Sequence, residues 1–166
     1  MSYYLIIRGP LGIGKTTVAQ ALAGKLDGVY ISIDGLLAEH GLDKVEEDKN
    51  IPVENFVKAN EIAMPDVKAR LNAGDVVVFD GNFYYQESIE HLIQNLPGPC
   101  YAFTLKAPLE TCIARDSQRA RVYGVGAATA VHNLVSRFDY GINIDTDGKT
   151  ATQVVQEIVA HLPDNS

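Results

Sequence analysis

A glycine-rich segment constrains the fold of this chain more than any other part of its sequence. Residues 9–16 read Gly-Pro-Leu-Gly-Ile-Gly-Lys-Thr and match the phosphate-binding loop pattern G-x-x-x-x-G-K-[ST] at every fixed position. Residues 3–7, just before it, predict a buried strand, and residues 17–26 have the apolar spacing of a helix. This order of strand, loop and helix favours the motif over a glycine-rich turn that carries a lysine by chance.

The residue types of this loop predict its chemistry. Its glycines let the backbone turn tightly, so that successive N–H groups and a helix N-terminus meet one anion. Lys15 is expected to reach the β- and γ-phosphates and to be catalytic, and the hydroxyl of Thr16 is expected to hold Mg²⁺. ATP and Mg²⁺ are therefore the predicted cofactors. The predicted nucleotide-binding residues of the segment are Gly9, Pro10, Leu11, Gly12, Ile13, Gly14, Lys15, Thr16 and Thr17.

Length, charge and cysteine content narrow the class of protein. The 166 residues, 46% of them apolar, predict one domain with a substantial core, spanning residues 1–166. The net charge of −7 disfavours a nucleic-acid partner. Cys100 and Cys112 lie in apolar segments without metal-site spacing, which predicts buried, reduced thiols. With no signal-type leader and no long apolar run, we expect a cytoplasmic protein, a monomer or homodimer, without a membrane partner.

A second predicted strand, residues 29–33, leads directly into Asp34. A strand, a crossover helix and a second strand form a right-handed unit in which the two strands are parallel. Asp34 is then expected on the same edge of the sheet as the phosphate loop. A helix N-cap is the alternative interpretation of this aspartate.

A continuous apolar run predicts the third strand at residues 75–80, and such runs are typical of central parallel strands covered on both faces. The run ends in Asp80, as in the Walker B pattern, whose carboxylate orders a Mg²⁺-bound water beside the threonine of the phosphate loop. Thr16 and Asp80 are therefore the predicted metal site. Gly81 stands where ATP-hydrolysing machines usually carry a glutamate, and the guanine motif N-K-x-D is missing from the chain. Both features favour transfer of a phosphoryl group to an alcohol over hydrolysis.

Residues 36–74 are polar with a mostly helical pattern, and we expect them to form a segment that binds the acceptor. Pro52 is predicted to begin a helix there, and Pro65 is predicted to end or kink it. Residues 46–49, Glu-Glu-Asp-Lys, are interpreted as a solvated face and not as a metal site, because consecutive carboxylates point in different directions.

A cluster of arginines predicts a mobile lid at residues 115–126. Arg115, Arg119 and Arg121 precede two glycines, and guanidinium groups can stabilise charge on a transferring phosphoryl group when a lid closes. Arg115 and Arg119 are the predicted catalytic arginines, and Arg119 is also predicted to bind the nucleotide. A solvated, arginine-rich helix end paired with nearby acidic residues is the alternative interpretation.

Two further strands, at residues 100–105 and 141–144, complete an alternation of five strands with helices. Thr150 and Gln153 have capping-box spacing and are expected to open the last helix. The alternation predicts an α/β fold of three layers: a P-loop NTPase fold with a five-stranded parallel sheet, helices on both faces and a helical lid. We expect the strand order 2-3-1-4-5, with the ligand outside the carboxyl ends of the strands.

Four segments of the chain, residues 9–17, 31–34, 105–119 and 144–146, resemble a known group of proteins. These are the small P-loop kinases that include gluconate kinase, chloramphenicol phosphotransferase, zeta-toxin-type kinases and the kinase domain of polynucleotide kinase. The resemblance extends over the architecture of the whole chain, and the phosphate loop is its specific motif.

The resemblance implies roles for two more positions. It implies that Asp34 lies near the acceptor hydroxyl, as a general base or an orienting group, and that the loop at residues 145–148 borders the adenine, which makes Thr146 a predicted nucleotide-binding residue. It implies an ATP-dependent phosphotransferase that moves the γ-phosphoryl group to a hydroxyl of a small molecule. A 5′-hydroxyl polynucleotide kinase and a non-catalytic, ATP-binding regulatory module are the alternatives.

Overall fold

The computed structural model of the chain describes residues 2–45, 50–118 and 123–164. Within these ranges the chain forms one sheet of five parallel strands in the order β2-β3-β1-β4-β5, as predicted. The strands are β1 (Tyr4–Arg8), β2 (Val29–Ser32), β3 (Val77–Gly81), β4 (Cys100–Lys106) and β5 (Ile142–Asp145). The helices are α1 (Lys15–Lys25), α2 (Ile33–Glu39), α3 (Val53–Asn72), α4 (Gln86–Asn95), α5 (Leu109–Ser117), α6 (Val125–Val135) and α7 (Ala151–Val159).

The register of the central strand aligns its carboxyl end with that of β3. In β1, Arg8 lies opposite Gly81 of β3 on one side and Thr104 of β4 on the other. The loops that follow β1 and β3 therefore leave the sheet at the same level. Ligands of open parallel sheets bind at this edge, so the register brings the phosphate loop and the end of the Walker B strand together.

Alternating side chains of β1 pack in two hydrophobic cores, one on each face of the sheet. Tyr4 and Ile6 pack in the core covered by α2, α3, α4 and α6. Leu5 and Ile7 pack in the core covered by α1, α5 and α7. These two cores make the three layers that the sequence predicts. No helix in the described part of the chain is long and apolar enough to span a membrane.

The junction between β2 and α2 differs from the predicted one. The strand ends at Ser32, one residue earlier than expected, because the Ser32 side chain accepts a hydrogen bond from the Gly35 N–H at 2.9 Å and caps the helix that begins at Ile33. Asp34 lies in the first turn of α2. The interpretation of Asp34 as the N-cap is therefore wrong.

Of the two outcomes predicted for Pro65, the end of the helix is wrong, because α3 continues through Pro65 to Asn72, and a kink there stays a prediction. A proline inside a helix removes one backbone hydrogen bond and costs about 3 kcal/mol. Met64 and Val67, on either side of it, are 8% and 1% exposed in the same core. Burial of two such side chains contributes about 3–6 kcal/mol, which offsets the loss. At the last helix, Thr150 and Gln153 form the predicted capping box.

Candidate functional site

The phosphate loop joins β1 to α1 and packs directly against another helix. Gly12 has a positive φ of 78°, and a Cβ atom there would lie 2.2 Å from the carbonyl oxygen of Cys112 in α5. Gly14, with φ of 92°, immediately precedes α1. Only glycine combines this backbone conformation with so close an approach, so the Gly12 position is fixed by packing as well as by anion binding.

Lys15 lies between the loop and the carboxylate of Asp34. The lysine side chain is buried, its Nζ donates a hydrogen bond to the Pro10 carbonyl oxygen at 3.4 Å, and the same Nζ lies 3.9 Å from Asp34 Oδ2. Both carboxylate oxygens of Asp34 accept from the Asn82 backbone N–H at 3.2 Å. The structure thus brings these two predicted catalytic residues together and adds Asn82, which directly follows β3, as a group that orients the aspartate.

The predicted metal residues form a direct contact. Thr16 Oγ1 donates to Asp80 Oδ2 at 2.8 Å, and the hydroxyl of Tyr30 donates to the same oxygen at 2.6 Å. Asp80 is 2% exposed. Burial and the neighbouring Asp80 carboxylate raise the pKa of Tyr30, so this tyrosine stays a protonated donor at neutral pH.

Thr16 and Asp80 fit a magnesium ion. Asp80 Oδ1 is buried and has no hydrogen-bond partner among the described residues, so one hard oxygen acceptor remains for a bound group. No cluster of three or more His, Cys, Asp or Glu side chains within the described ranges could hold a metal by itself. A magnesium site beside a nucleotide usually takes one or two protein oxygens together with water and phosphate, and Thr16 and Asp80 provide two such oxygens.

Sequence analysis missed Tyr30. Ser32 is the register partner of Asp80, and Tyr30, two residues earlier in β2, projects to the same face of the sheet. The available signal was a tyrosine two residues before Ser32, because its side chain points to the same face of the sheet as Asp80. This signal can be recognised only when the strand order and the register are known.

Arg115 connects the phosphate loop to the loop after β5. Its Nη1 donates to the Ile13 carbonyl oxygen at 3.0 Å, and its Nη2 lies 3.5 Å from the Thr146 carbonyl oxygen. Thr146 is buried, and its hydroxyl donates to the Lys106 carbonyl oxygen at 3.1 Å. Arg115 belongs to α5, and its guanidinium therefore lies between the two loops that the sequence analysis predicts to bind the nucleotide.

Two adjoining cavities lie on either side of Arg115. The phosphate cavity, about 180 Å³, is lined by Gly12, Gly14, Lys15, Thr16, Thr17 and Arg115. The second cavity, about 260 Å³, shares Gly14, Thr17 and Arg115 with it and extends to Thr146 and Lys149. Two cavities that share lining residues in this way suit a phosphate chain and the nucleoside attached to it.

The predicted lid at residues 115–126 is only partly described. Arg119 lies outside the described residues, as do Arg121 and the acidic cluster at residues 46–49. On either side of the gap, the buried carboxylate of Asp116 accepts from the backbone N–H groups of Tyr123 at 3.3 Å and Gly124 at 3.0 Å. The last turn of α5 and the start of α6 are thus joined. Closure over the phosphates stays a prediction.

A third cavity, the apolar cavity, of about 250 Å³, lies on the far side of Asp34. Its walls come from α2, from the chain between α2 and α3, from the start of the β3–α4 connection and from α6. Leu11, a predicted nucleotide-binding residue of the phosphate loop, is not among the lining residues of the phosphate cavity and instead lines the apolar cavity. Its main apolar lining residues are Leu37, Ile51, Tyr84, Ala127, Val131 and Leu134.

Comparison with known proteins agrees with this architecture. The sequence model of the AAA domain family matches residues 5–139. The chain belongs to this family. A relative from Pyrococcus furiosus named "Putative adenylate kinase" is 30% identical over 156 residues, which cover 93% of this chain and 81% of the relative. A tRNA dimethylallyltransferase of Anaeromyxobacter dehalogenans is 27% identical over 179 residues, and the match spans 92% of this chain and 58% of that enzyme.

Solved structures with the same fold include several kinases. A sugar kinase from Janibacter sp. superimposes with a TM-score of 0.81 at 16% identity, covering 96% of this chain and 94% of that one. A gluconokinase from Sinorhizobium meliloti gives 0.69 at 16% identity, with coverages of 95% and 89%. The tunicamycin resistance protein of Deinococcus radiodurans gives 0.67 at 20% identity, with coverages of 96% and 95%. The family member described here thus has a P-loop kinase fold.

Proposed function

We propose that this protein is an ATP- and Mg²⁺-dependent phosphotransferase that moves the γ-phosphoryl group to a hydroxyl of a small molecule. One observation carries the proposal: Asp34 lines the apolar cavity, and its carboxylate lies 3.9 Å from the Nζ of Lys15, which lines the phosphate cavity. A carboxylate at the boundary between a phosphate site and a second cavity is the arrangement that transfer to an alcohol needs.

In the proposed reaction, Asp34 accepts a hydrogen bond from the acceptor hydroxyl and takes its proton as the new O–P bond forms. The bond between the γ-phosphorus and the bridging oxygen breaks, and ADP leaves with both electrons of that bond. A carboxylate is basic enough for this role, because the transition state is loose and the enzyme has mainly to position the reacting groups. The Asn82 N–H holds Asp34 in place.

Cationic groups stabilise the charge on the transferring phosphoryl group in this proposal. Lys15 contacts its oxygens, and Arg115 and Arg119 are the proposed catalytic arginines. Mg²⁺, held by Thr16 and through Asp80, supplies further positive charge beside the phosphates when it is bound. The nucleoside is proposed to occupy the second cavity, beside Thr146.

The segment 36–74 is proposed to bind the acceptor. Leu37, Asp43 and Ile51 from this segment line the apolar cavity, which supports the assignment. The Ile51 backbone N–H donates to the Tyr84 hydroxyl at 3.0 Å, so the segment is attached to the opposite wall of the cavity. We propose that the single domain covers residues 1–166.

The test is acceptor-stimulated ADP release with Mg²⁺, run with sugars, polyols, amino alcohols, nucleosides and 5′-hydroxyl oligonucleotides. Asp34→Asn is expected to lower kcat by about 10²–10⁴-fold while ATP still binds. Lys15→Ala is expected to weaken ATP binding and abolish turnover. Glu87→Gln, at an exposed acidic position on α4 outside the acceptor-binding segment, is the matched control and should leave turnover unchanged. ATP binding that no acceptor stimulates, and that Asp34→Asn leaves unaffected, would instead favour a non-catalytic ATP-binding module.

A second candidate is transfer to a nucleoside monophosphate. The relative that is 30% identical is named an adenylate kinase, and AMP is the acceptor in that reaction. AMP is therefore included in the same assay. ADP formation from ATP and AMP that exceeds turnover with every alcohol would favour this candidate over the first.

A further inference from the structure

Asn82 lies at the boundary between the proposed general base and the apolar cavity, and the following inference about it rests on the proposed function. Its backbone N–H donates to both carboxylate oxygens of Asp34, each at 3.2 Å. Asn82 also lines the apolar cavity, whereas the described lining of the phosphate cavity comes from other residues. The residue thus contacts the proposed base and borders the proposed acceptor site.

The backbone next to Asn82 is held in a conformation that side chains rarely adopt. Phe83 has a positive φ of 43°. Its carbonyl oxygen accepts a hydrogen bond from Arg8 Nε at 3.3 Å, and its buried ring packs so closely on Gly81 that a Cβ atom there would lie 2.9 Å from it. A bulky residue keeps such a φ only where the surrounding structure fixes it, and these positions cluster at functional sites. Tertiary contacts therefore fix the chain that positions Asn82.

The side chain of Asn82 has an oxygen that the fold does not use. Asn82 is 8% exposed, and its Oδ1 is buried without a hydrogen-bond partner among the described residues. A buried carbonyl oxygen that stays unpaired destabilises a protein, so native structures keep such groups mainly where a ligand, a water or the chemistry of a site needs them. Oδ1 is therefore suited to accept a hydrogen bond from a ligand in the apolar cavity.

We infer that Asn82 determines specificity for the acceptor: its Oδ1 accepts a hydrogen bond from an O–H or N–H group on the carbon next to the one that carries the reacting hydroxyl. The two groups are neighbours because the nitrogen that holds Asp34 and the oxygen that holds the second donor belong to one residue. The acceptor is then a 1,2-diol or a 1,2-amino alcohol. Asn82 binds it, and Asp34 takes the proton.

Three probes that share a six-membered ring test the need for a second donor. The compound cis-1,2-cyclohexanediol carries that donor, cis-2-methoxycyclohexanol keeps the oxygen without its hydrogen, and cyclohexanol lacks the whole group. We expect kcat/KM for the diol, measured as acceptor-stimulated ADP release, to exceed that for each of the others by at least about tenfold. Similar kcat/KM values for the diol and the methyl ether overturn the inference.

The variant Asn82→Leu tests the residue itself. It keeps the backbone N–H that holds Asp34 and replaces the carboxamide by an apolar group of similar shape. The preference for the diol over the methyl ether should fall from at least about tenfold to less than about threefold. Asn95→Leu changes an exposed asparagine at the end of α4 and, as the matched control, should keep the wild-type preference. An undiminished preference in Asn82→Leu overturns the inference.

The thermal stability of the same variant separates ligand binding from a structural role. Because Oδ1 has no partner among the described residues, Asn82→Leu should raise the Tm of the ligand-free protein or lower it by less than about 4 °C. A larger fall would show that the carboxamide stabilises the fold, and this result would overturn the inference.

The failure of this inference differs from the failure of the proposed function. If acceptors turn over regardless of a second donor and Asp34→Asn abolishes that turnover, the kinase stands and the role of Asn82 is wrong. If the three probes do not turn over, the shift in Tm that the diol causes with ADP and Mg²⁺ decides: a larger shift in wild type than in Asn82→Leu supports the inference, and equal shifts overturn it. Only inactivity with every compound of the wider acceptor panel counts against the proposed function.

Discussion

The guanidinium of Arg8 donates a hydrogen bond from Nη2 to the carbonyl oxygen of Val135 at 2.9 Å, which links the last residue of β1 to the last residue of α6. Arg8 is completely buried, and its guanidinium lies 4.3 Å from the centre of the Phe138 ring. Burial lowers the pKa of Arg8 to about 10, so the side chain is still cationic at neutral pH. One residue thus fixes the wall of the apolar cavity to the strand that leads into the phosphate loop.

Replacing Arg8 should destabilise the whole fold. The guanidinium also donates to the carbonyl oxygens of Phe83 at 3.3 Å and Phe138 at 3.1 Å, and Arg8→Met leaves these buried acceptors without their donor. We expect the free energy of unfolding to fall by about 3 kcal/mol, measured by urea denaturation. Arg70→Met is the matched control, because Arg70 is half-exposed and its ion pairs should contribute less than about 1 kcal/mol. Equal losses in the two variants would contradict the structural role given to Arg8.

Tyr30 should set the affinity for Mg²⁺ without touching the nucleotide. Its hydroxyl donates to Asp80 Oδ2 at 2.6 Å and orients the carboxylate beside Thr16. In Tyr30→Phe we expect the Mg²⁺ concentration for half-maximal nucleotide binding to rise about tenfold, as for other groups that orient a metal ligand. A titration with a fluorescent ATP analogue measures this. Tyr101→Phe alters a tyrosine packed edge-on against Tyr3 and should leave the titration unchanged.

Gly12→Ala should disrupt both folding and nucleotide binding. The added methyl group would lie 2.2 Å from the Cys112 carbonyl oxygen, at a backbone φ of 78°. We expect a loss of about 2–4 kcal/mol in the free energy of unfolding, together with loss of ATP binding. Gly24→Ala makes the same change in α1, where a Cβ atom meets nothing within 4 Å. That variant should gain about 0.5–1 kcal/mol, so destabilisation by both substitutions would refute the packing argument.

The two thiols should be unreactive in the native protein. Burial raises the pKa of Cys100 to about 12 and raises the pKa of Cys112, and the thiolate is the reactive form. Labelling with a thiol reagent at pH 8 should therefore be slow until the protein unfolds. Because the folded pKa of Cys100 is raised above its unfolded value of about 8.5, its contribution to stability is full below that pH. It declines as pH rises towards 12, which denaturant midpoints measured from pH 8 to 11 can follow. Cys112 is buried and Cys100 is partly buried, so rapid labelling of Cys112 in the native protein would contradict this prediction.

The sequence predicts the parts of the fold and of the site that rest on local patterns. One loop motif and apolar runs of strand length predict that Thr16, Asp80 and Asp34 share one edge of the sheet, and the structure has Thr16 in contact with Asp80 and Asp34 beside Lys15. The strand order is that of the P-loop NTPase fold, to which the loop motif points. The end of β2 is missed, because the residues around Ser32 read as a continuing strand when the cap from Ser32 to Gly35 is unseen.

The remaining features depend on distant parts of the chain. The continuation of α3 through Pro65 depends on the burial of neighbouring side chains in the core, which outweighs the tendency of proline to end a helix. The apolar cavity is assembled from residues as far apart as Leu37 and Leu134, and periodicity within one segment cannot place them side by side. Arg119 lies outside the described residues, and its role stays a prediction.

The central position of β1 has a consequence for how the chain is made. Tyr4 pairs with Val77 and Cys100, so the strand leaves the ribosome about 70 residues ahead of one neighbour and about 95 ahead of the other. At a translation rate of about 5–20 residues per second, this apolar strand emerges several seconds before the strands that pair with it. Until Asp80 and Cys112 have emerged, neither the Thr16 contact nor the α5 surface beneath Gly12 exists. The nucleotide site is therefore incomplete until Cys112 has emerged, and a chaperone that shields β1 would act in that interval.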